Sequence, residues 1–383
     1  MDFELNEEQR ELKKLARDFA EKEIAPIVEK DEAEHKFRPE IVRQMGELGF
    51  FGGVIPEEYG GTNLGMLATL IMNEEIARVS ASYGLPFNMQ TIGPGLVLLK
   101  WGSEAHKKKY LPGLVSGELM GCFAITEPNS GSDVASMKSR AEDKGDHYLL
   151  NGTKTWISNA QVADVGIVYA YTDPALKHKG ISAFIVDIKN TQGITTRPIE
   201  TKLGLHCAPT GEIIFEDAKI PKENLLGAPG DGFKICMMML DNTRLSCAVR
   251  AVGVAQGALD DSIKYAQERE QFGKKIAEFE MIQDELAQMY VDIQAARLLV
   301  YRAAALKDKG ERCSLEVSTA KYFAAETAVK VTNEAVKIFG SYGFSSEYPV
   351  ERRLRDAKSF QIVEGTSNIQ KVIISSYLLG QRK

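Results

Sequence analysis

One change of hydrophobic period constrains this 383-residue chain more than any other feature. From Gly121 the apolar residues move toward a spacing of two, through Tyr148-Leu149-Leu150, Val165 to Tyr171, Ile181 to Ile188 and Glu212 to Phe215, runs rich in branched and aromatic residues. The flanks keep helical spacing. On the N-terminal side, Asn6 and Gln9 have the separation of a capping box, and Leu12, Leu15, Phe19 and Ala20 follow until Pro26 interrupts. A further helix is expected from Pro39, a loop over Ile55 to Gly65, and helical runs over Met66 to Val79 and Pro94 to Trp101. On the C-terminal side, Ile282, Leu286, Met289, Ile293, Ala296 and Val300 alternate steps of four and three, the seam of a helix in a bundle. Val317 to Ile338 and Ile369 to Leu379 supply more helices. Asn151-Gly152 predicts a tight turn after Leu150, and the Leu225 to Gly232 run marks the exit from the strands. A chain of this length exceeds one core. The expected architecture is α+β, with an α-helical domain over 1–118, a β domain over 119–228 and a helical bundle over 229–383.

Charge narrows the function. The formal balance of -6 argues against nucleic-acid binding through a general basic field and leaves room for a local basic pocket for phosphates. The acidic Met-Asp-Phe-Glu start is expected to be neither a secretory signal nor a transit peptide, and no apolar run is long enough to span a bilayer. Five scattered cysteines without a CxxC pair fit reduced cytosolic thiols, and the five histidines lack metal-ligand spacing. The expected compartment is cytoplasmic, with no membrane contact and no metal.

Three places carry residue types suited to chemistry. Ala124 to Asp133, AITEPNSGSD, gathers hydroxyls, Gly131 and many backbone N–H groups in a loop leaving a strand. That composition suits a flavin edge or a phosphate, and equally a capped turn. Trp156 offers a large flat surface near the Ser158 hydroxyl, although a lone tryptophan in a β domain ordinarily belongs to its core. Glu364 lies between Val363 and the Gly365-Thr366 turn, where backbone can approach a ligand; most acidic residues in such loops are merely solvated. The glycines between Gly227 and Gly232 follow no complete βαβ unit and are not a dinucleotide fingerprint.

AITEPNSGSDVAS (Ala124 to Ser136) resembles the first signature of the FAD-dependent acyl-CoA dehydrogenases. The likeness continues through NGTKTWISN (Asn151 to Asn159), REQFGK (Arg269 to Lys274), GSYGFSSEYPVERRLRD (Gly340 to Asp356) and IVEGTSNIQ (Ile362 to Gln370), in that family's order and spacing. It implies a helical N-terminal domain, a barrel-like middle domain and a C-terminal four-helix bundle. Oxidising a saturated thioester needs a carboxylate base, hydrogen bonds on the thioester carbonyl and a redox cofactor. The resemblance makes Glu364 that base, with its own N–H on the carbonyl. Thr126 and Ser132 are implied near the flavin pyrimidine and pantetheine, and Trp156 and Ser158 near the flavin N5 edge. Lys337, Gly340, Ser341, Thr366 and Asn368 are further implied FAD contacts. Arg269, Gln271 and Phe272 read alone as the end of a helix; in similar proteins they reach the FAD of a neighbouring subunit, which implies a homotetramer. Ser132, Asp241, Arg244, Val363 and Gly365 are implied to contact the acyl-CoA, and Arg312 to lie near its phosphates. Electrons are expected to pass to an electron-transfer flavoprotein.

Some relatives carry their base one residue before the arginine of LDxxR; in Leu240-Asp-Asn-Thr-Arg244 that position is Thr243, so the alternate base is absent. Lys337 and Glu280 stand where glutamines are common, and Ser341 where glycine is frequent. Val363 replaces the tyrosine of straight-chain enzymes, which should widen the pocket. The Leu85 to Leu96 stretch, expected to line the acyl end, contains no Arg or Lys. These departures point to cyclohexane-1-carboxyl-CoA, with butyryl-CoA and glutaryl-CoA as alternatives. A flavin oxidase, or a non-catalytic nucleic-acid-binding or scaffold flavoprotein, are the competing readings.

Overall fold

The computed structural model describes residues 4–381. Its first region is helical: α1 Glu7–Phe19, α2 Val28–Ala33, α3 Pro39–Glu47, α4 Gly65–Val79, α5 Ala81–Gly84, α6 Leu96–Trp101 and α7 Glu104–Ser116. The capping box is formed, since the Asn6 side chain accepts from Gln9 N at 2.8 Å and Gln9 returns a bond to Asn6 N at 3.1 Å. Between α5 and α6 a widened π-type turn over Asn88–Gly95 absorbs Pro94.

The middle region is one sheet: β1 Gly121–Ala124, β2 Arg140–Asp143, β3 His147–Ser158, β4 Val165–Tyr171, β5 Ile181–Asp187, β6 Ile194–Pro198, β7 Thr210–Pro221 and β8 Leu225–Leu226. The order is β6-β7-β3-β2-β4-β5-β8, with β1 parallel to β4. Tyr148 of β3 packs edge-on against Phe184 of β5 at 5.0 Å although those strands are not neighbours, so the sheet curls around its own core. The apolar run of β4 follows from burial on both faces. Val168 and Ala170 enter the sheet's core, whereas Ile167 and Tyr169 face Leu98, Tyr110, Ile235 and Met239 from helices.

The turn expected at Asn151-Gly152 is absent. β3 runs straight through it, and the register with β7 slips between Leu150 and Gly152. A Cβ on Gly152 would stand 2.2 Å from Ser139 Oγ, and Asn151 exchanges two bonds with Asp217 across the irregularity. The extra residue of this bulge is on β7, where Asp217 and Glu216 together oppose Asn151 and Asp217 is left-handed at φ 49°, and the chain reverses instead at Lys144 to Asp146.

The last region holds α8 Gly232–Glu268, α9 Glu280–Asp308, α10 Ser314–Phe339, α11 Pro349–Phe360 and α12 Ser367–Leu378. Met289, Ile293, Ala296 and Val300 of the heptad seam are buried. Arg269 to Phe272 does not extend α8. Glu270–Gln271 pairs antiparallel with Lys274–Lys275, because Phe272 and Gly273 are both left-handed, at φ 52° and 78°, and close a two-residue hairpin. Among the described residues no helix is long and apolar enough to cross a membrane, no acidic, histidine or cysteine group is arranged to hold a metal, and all five cysteines are buried and unpaired.

Candidate active site

The three regions converge on one cavity of about 2080 Å³. The β region contributes Thr126, Ser132, Trp156 and Ser158. The C-terminal helices contribute Asp241, Arg244, Arg312, Val363, Glu364, Gly365 and Thr366, and the first region contributes Leu85, Met89 and Leu96. Nine basic side chains line this cavity against five acidic ones, the reverse of the chain's overall balance and the local basic pocket that the net charge left room for.

A buried ion pair builds the β-side wall. Lys154 Nζ donates to Glu127 Oε1 at 2.8 Å and to the Ile125 carbonyl at 3.0 Å, while Glu127 accepts the N–H groups of Lys138 and Ser139. Thr155 N bonds Thr126 O at 2.9 Å, which ties the Thr126 loop to β3. Beyond this tie Trp156 adopts φ 59° and leaves its ring 59% exposed. A left-handed tryptophan costs of order 1–3 kcal/mol, and here that strain turns a large aromatic face into the cavity instead of the core.

Glu364 faces it from the loop between α11 and α12. It is also left-handed, at φ 57°, and Gly365 follows at φ 87°. The carbonyls of this turn are drawn away from the cavity: Lys321 Nζ and Gln370 Nε2 bond Gly365 O at 2.7 and 2.9 Å, and Arg244 Nε approaches Glu364 O at 3.3 Å. The N–H of Glu364 meets no acceptor among the described residues. Its carboxylate is held at both oxygens, by Asn88 Nδ2 at 2.9 Å and Thr243 Oγ1 at 2.6 Å. Arg244 pairs with Asp241 at 2.8 Å, and Ser314 Oγ bonds the other Asp241 oxygen.

Sequence reasoning missed Asn88. It placed Thr243 only as the site of a base that is absent, whereas this hydroxyl binds Glu364 directly. The remaining implied contacts lie off the cavity. Lys337 is exposed and engages Glu334 and Glu285; Gly340, Ser341 and Asn368 are exposed; Arg269 stacks over Tyr342 at 5.3 Å; Gln271 bonds only the neighbouring Glu270 carbonyl, and Phe272 is 94% exposed.

The cavity loop Thr201 to Leu205 is anchored by charge. Leu205 N bonds Asp356 Oδ1 at 2.6 Å, and Lys202 Nζ bonds the Leu205 carbonyl at 2.7 Å. Burial, reinforced by Glu32 nearby and opposed by Arg352, pushes the Asp356 carboxyl up to about 7. Folded protein therefore keeps a proton that the unfolded chain releases near its ordinary value of about 4, so this group's contribution to stability declines as pH rises through that window. Thermal melts of Asp356→Asn should show a gain over the parent that is larger at about pH 7.5 than at about pH 5. An equal shift at both would remove Asp356 as the titrating group.

All three parts of the chain match family models: "Acyl-CoA dehydrogenase, N-terminal domain" over residues 6–118, "Acyl-CoA dehydrogenase, middle domain" over 122–218 and "Acyl-CoA dehydrogenase, C-terminal domain" over 230–379. The glutaryl-CoA dehydrogenase of Desulfococcus multivorans is 53% identical, covering 100% of this chain and 99% of that one. The caffeyl-CoA reductase-Etf complex subunit CarC of Acetobacterium woodii is 44% identical over 98% of this chain and 99% of its own. A solved glutaryl-coenzyme A dehydrogenase in complex with glutaryl-CoA superposes with a TM-score of 0.97 at 53% identity, covering 100% of this chain and 98% of that one. The chain belongs to the acyl-CoA dehydrogenase family.

Proposed function

We propose that this acyl-CoA dehydrogenase takes hydrogen from Cα and Cβ of a short acyl-CoA, glutaryl-CoA being the best candidate, with Glu364 as the base and an electron-transfer flavoprotein as acceptor. Enzymes of the family are FAD-dependent oxidoreductases acting on CH–CH bonds, and FAD, when bound, supplies the acceptor for the β hydride. The residues present fit that cofactor. A single ligand pocket measures roughly 300–1,000 Å³, so a cavity of about 2080 Å³ accommodates two large ligands together. The outward Trp156 ring offers a platform for a flat ring system, and Thr126 and Ser158 lie on the same wall.

The observation that carries the reading is Glu364, a carboxylate aimed into the cavity and fixed by Asn88 and Thr243. Set against a thioester, its carboxylate accepts the α proton. Its free N–H donates to the thioester carbonyl, where negative charge gathers as that proton leaves. Asn88 and Thr243 fix the acid's orientation, and Arg244, Lys321 and Gln370 keep the turn's own carbonyls from opposing that charge. The Etf complex named for the Acetobacterium relative supports the acceptor. The exposed Phe272 hairpin suits burial against a second copy, which supports the proposed homotetramer in which Arg269, Gln271 and Phe272 complete a neighbour's FAD site.

The cyclic acyl group expected from the sequence has no support among these relatives, whereas glutaryl-CoA does. Leu85 to Leu96 holds no cation for a terminal carboxylate, yet Arg250 of α8 also lines the cavity. A panel of glutaryl-, butyryl- and cyclohexane-1-carboxyl-CoA mixed anaerobically with the purified flavoprotein tests the reading. Bleaching of the flavin absorbance, fastest with glutaryl-CoA, is expected, and a flavin that none of them bleaches would overturn it.

A further inference from the structure

Arg250 sits in the middle of α8, 1% exposed, yet has no carboxylate partner among the described residues. Its Nε makes a long 3.3 Å bond to Ser246 O, its guanidinium carbon lies 5.6 Å from the centre of the Phe360 ring, and its terminal nitrogens meet no acceptor among the described residues. Every other arginine of comparable burial here has one: Arg244 pairs with Asp241, Arg352 with Glu29 and Arg353 with Asp261. Burial, opposed in part by Cys247 and Glu364, holds the Arg250 pKa below its ordinary value.

Its placement is made by a glycine. A Cβ on Gly84 would stand 3.0 and 3.1 Å from Cδ and Cγ of Arg250, so the arginine stem occupies space that the end of α5 leaves open. The surroundings are polar as well. Asn73 Oδ1, within 2.9 Å of that same Cβ position, and the oxygens Asn88 Oδ1 and Thr91 Oγ1 are all buried without a partner.

Thr243, which touches the base, precedes Arg250 by seven residues on one helix. Two turns place them on the same face about 10 Å apart, and helical side chains lean toward the N-terminus, so the guanidinium reaches back toward Glu364. The gap left once the arginine stem has taken up part of that interval suits a chain of a few carbons whose α carbon is at Glu364. A hydrocarbon tail would leave the buried cation bare; a carboxylate could accept two of its N–H bonds at once.

Resting on the acyl-CoA reading above, we propose that Arg250 is the specificity-determining residue for an acyl chain ending in a carboxylate, which it receives in place of any cation from Leu85 to Leu96. The test uses Glu364→Gln holoenzyme, which should bind thioesters without consuming them. Glutaryl-CoA and pentanoyl-CoA differ chiefly in the terminal carboxylate, and calorimetry gives their affinities with and without a second change, Arg250→Gln. Glutaryl-CoA should bind about tenfold to a hundredfold more tightly when Arg250 is present, and that ratio should fall to about unity without it. Arg250→Lys should recover part of the preference, and the parent's own preference decides the matter if Arg250→Gln does not fold. Equal or weaker binding of glutaryl-CoA than of pentanoyl-CoA or cyclohexane-1-carboxyl-CoA with Arg250 present would overturn the proposal and leave the dehydrogenase reading intact. Equal weakening of both ligands by Arg250→Gln would make the residue structural. If no thioester binds, both readings fall.

Discussion

Glu364→Gln should retain its flavin and fold but reduce the anaerobic bleaching rate with a productive thioester by roughly 10²–10⁴-fold, the usual contribution of a positioned general base. The change keeps size and removes the proton acceptor. An amide can still take one hydrogen bond from Asn88 or Thr243, so the turn should hold its shape. The backbone N–H proposed to face the thioester carbonyl is unaltered, so substrate affinity should change far less than rate. Rapid-mixing absorbance gives the rate, and calorimetry the affinity. A variant that bleaches at the parental rate would show that the base lies elsewhere.

Lys154→Met should carry the largest loss of stability. It strands Glu127, 7% exposed, without its cation beneath the loop that holds Thr126. Breaking one side of a buried ion pair typically costs about 3–5 kcal/mol, because the remaining charge has lost water and partner together. Denaturant unfolding should register that loss, and flavin retention should fall with it, since Thr126 and Trp156 both sit on the wall the pair supports. The double change Lys154→Met with Glu127→Leu should recover much of the stability, because two apolar groups need no compensation. A double variant no better than Lys154→Met would show that the Glu127 bonds to Lys138 N and Ser139 N matter more than its charge.

What the sequence revealed and what it concealed divide along physical lines. The short run of branched and aromatic residues from Val165 to Tyr171 and the seam from Met289 to Val300 are local, and each produced the expected element. Glu364 was legible because its neighbours Val363 and Gly365-Thr366 carry the motif on one short segment. Asn151-Gly152 misled because the dipeptide suits any left-handed or open backbone, and only its pairing with β7 and the close approach of Ser139 show that β3 continues through it. The Arg269 to Phe272 segment reads as a helix end until Phe272 and Gly273 are seen to share left-handed backbone. Asn88 and Arg250 could not be found by spacing at all, and spacing marked Thr243 only as the place of an absent base, not as a partner of Glu364. They come from an irregular π-type turn and from the long helix α8, whose faces are assigned only once it has packed beside that turn. Arg250 in particular looks like any helix-surface arginine until Gly84 is placed against its stem.

The proposed reaction requires a Cα–H bond to break toward Glu364 in the step that reduces the flavin. Single-turnover bleaching of the parent enzyme with glutaryl-CoA, compared with the same thioester carrying deuterium at its α carbon, addresses it most directly. The deuterated substrate should bleach the flavin several-fold more slowly at saturation. Identical rates for the two, measured with the chemical step isolated in this way, would contradict it.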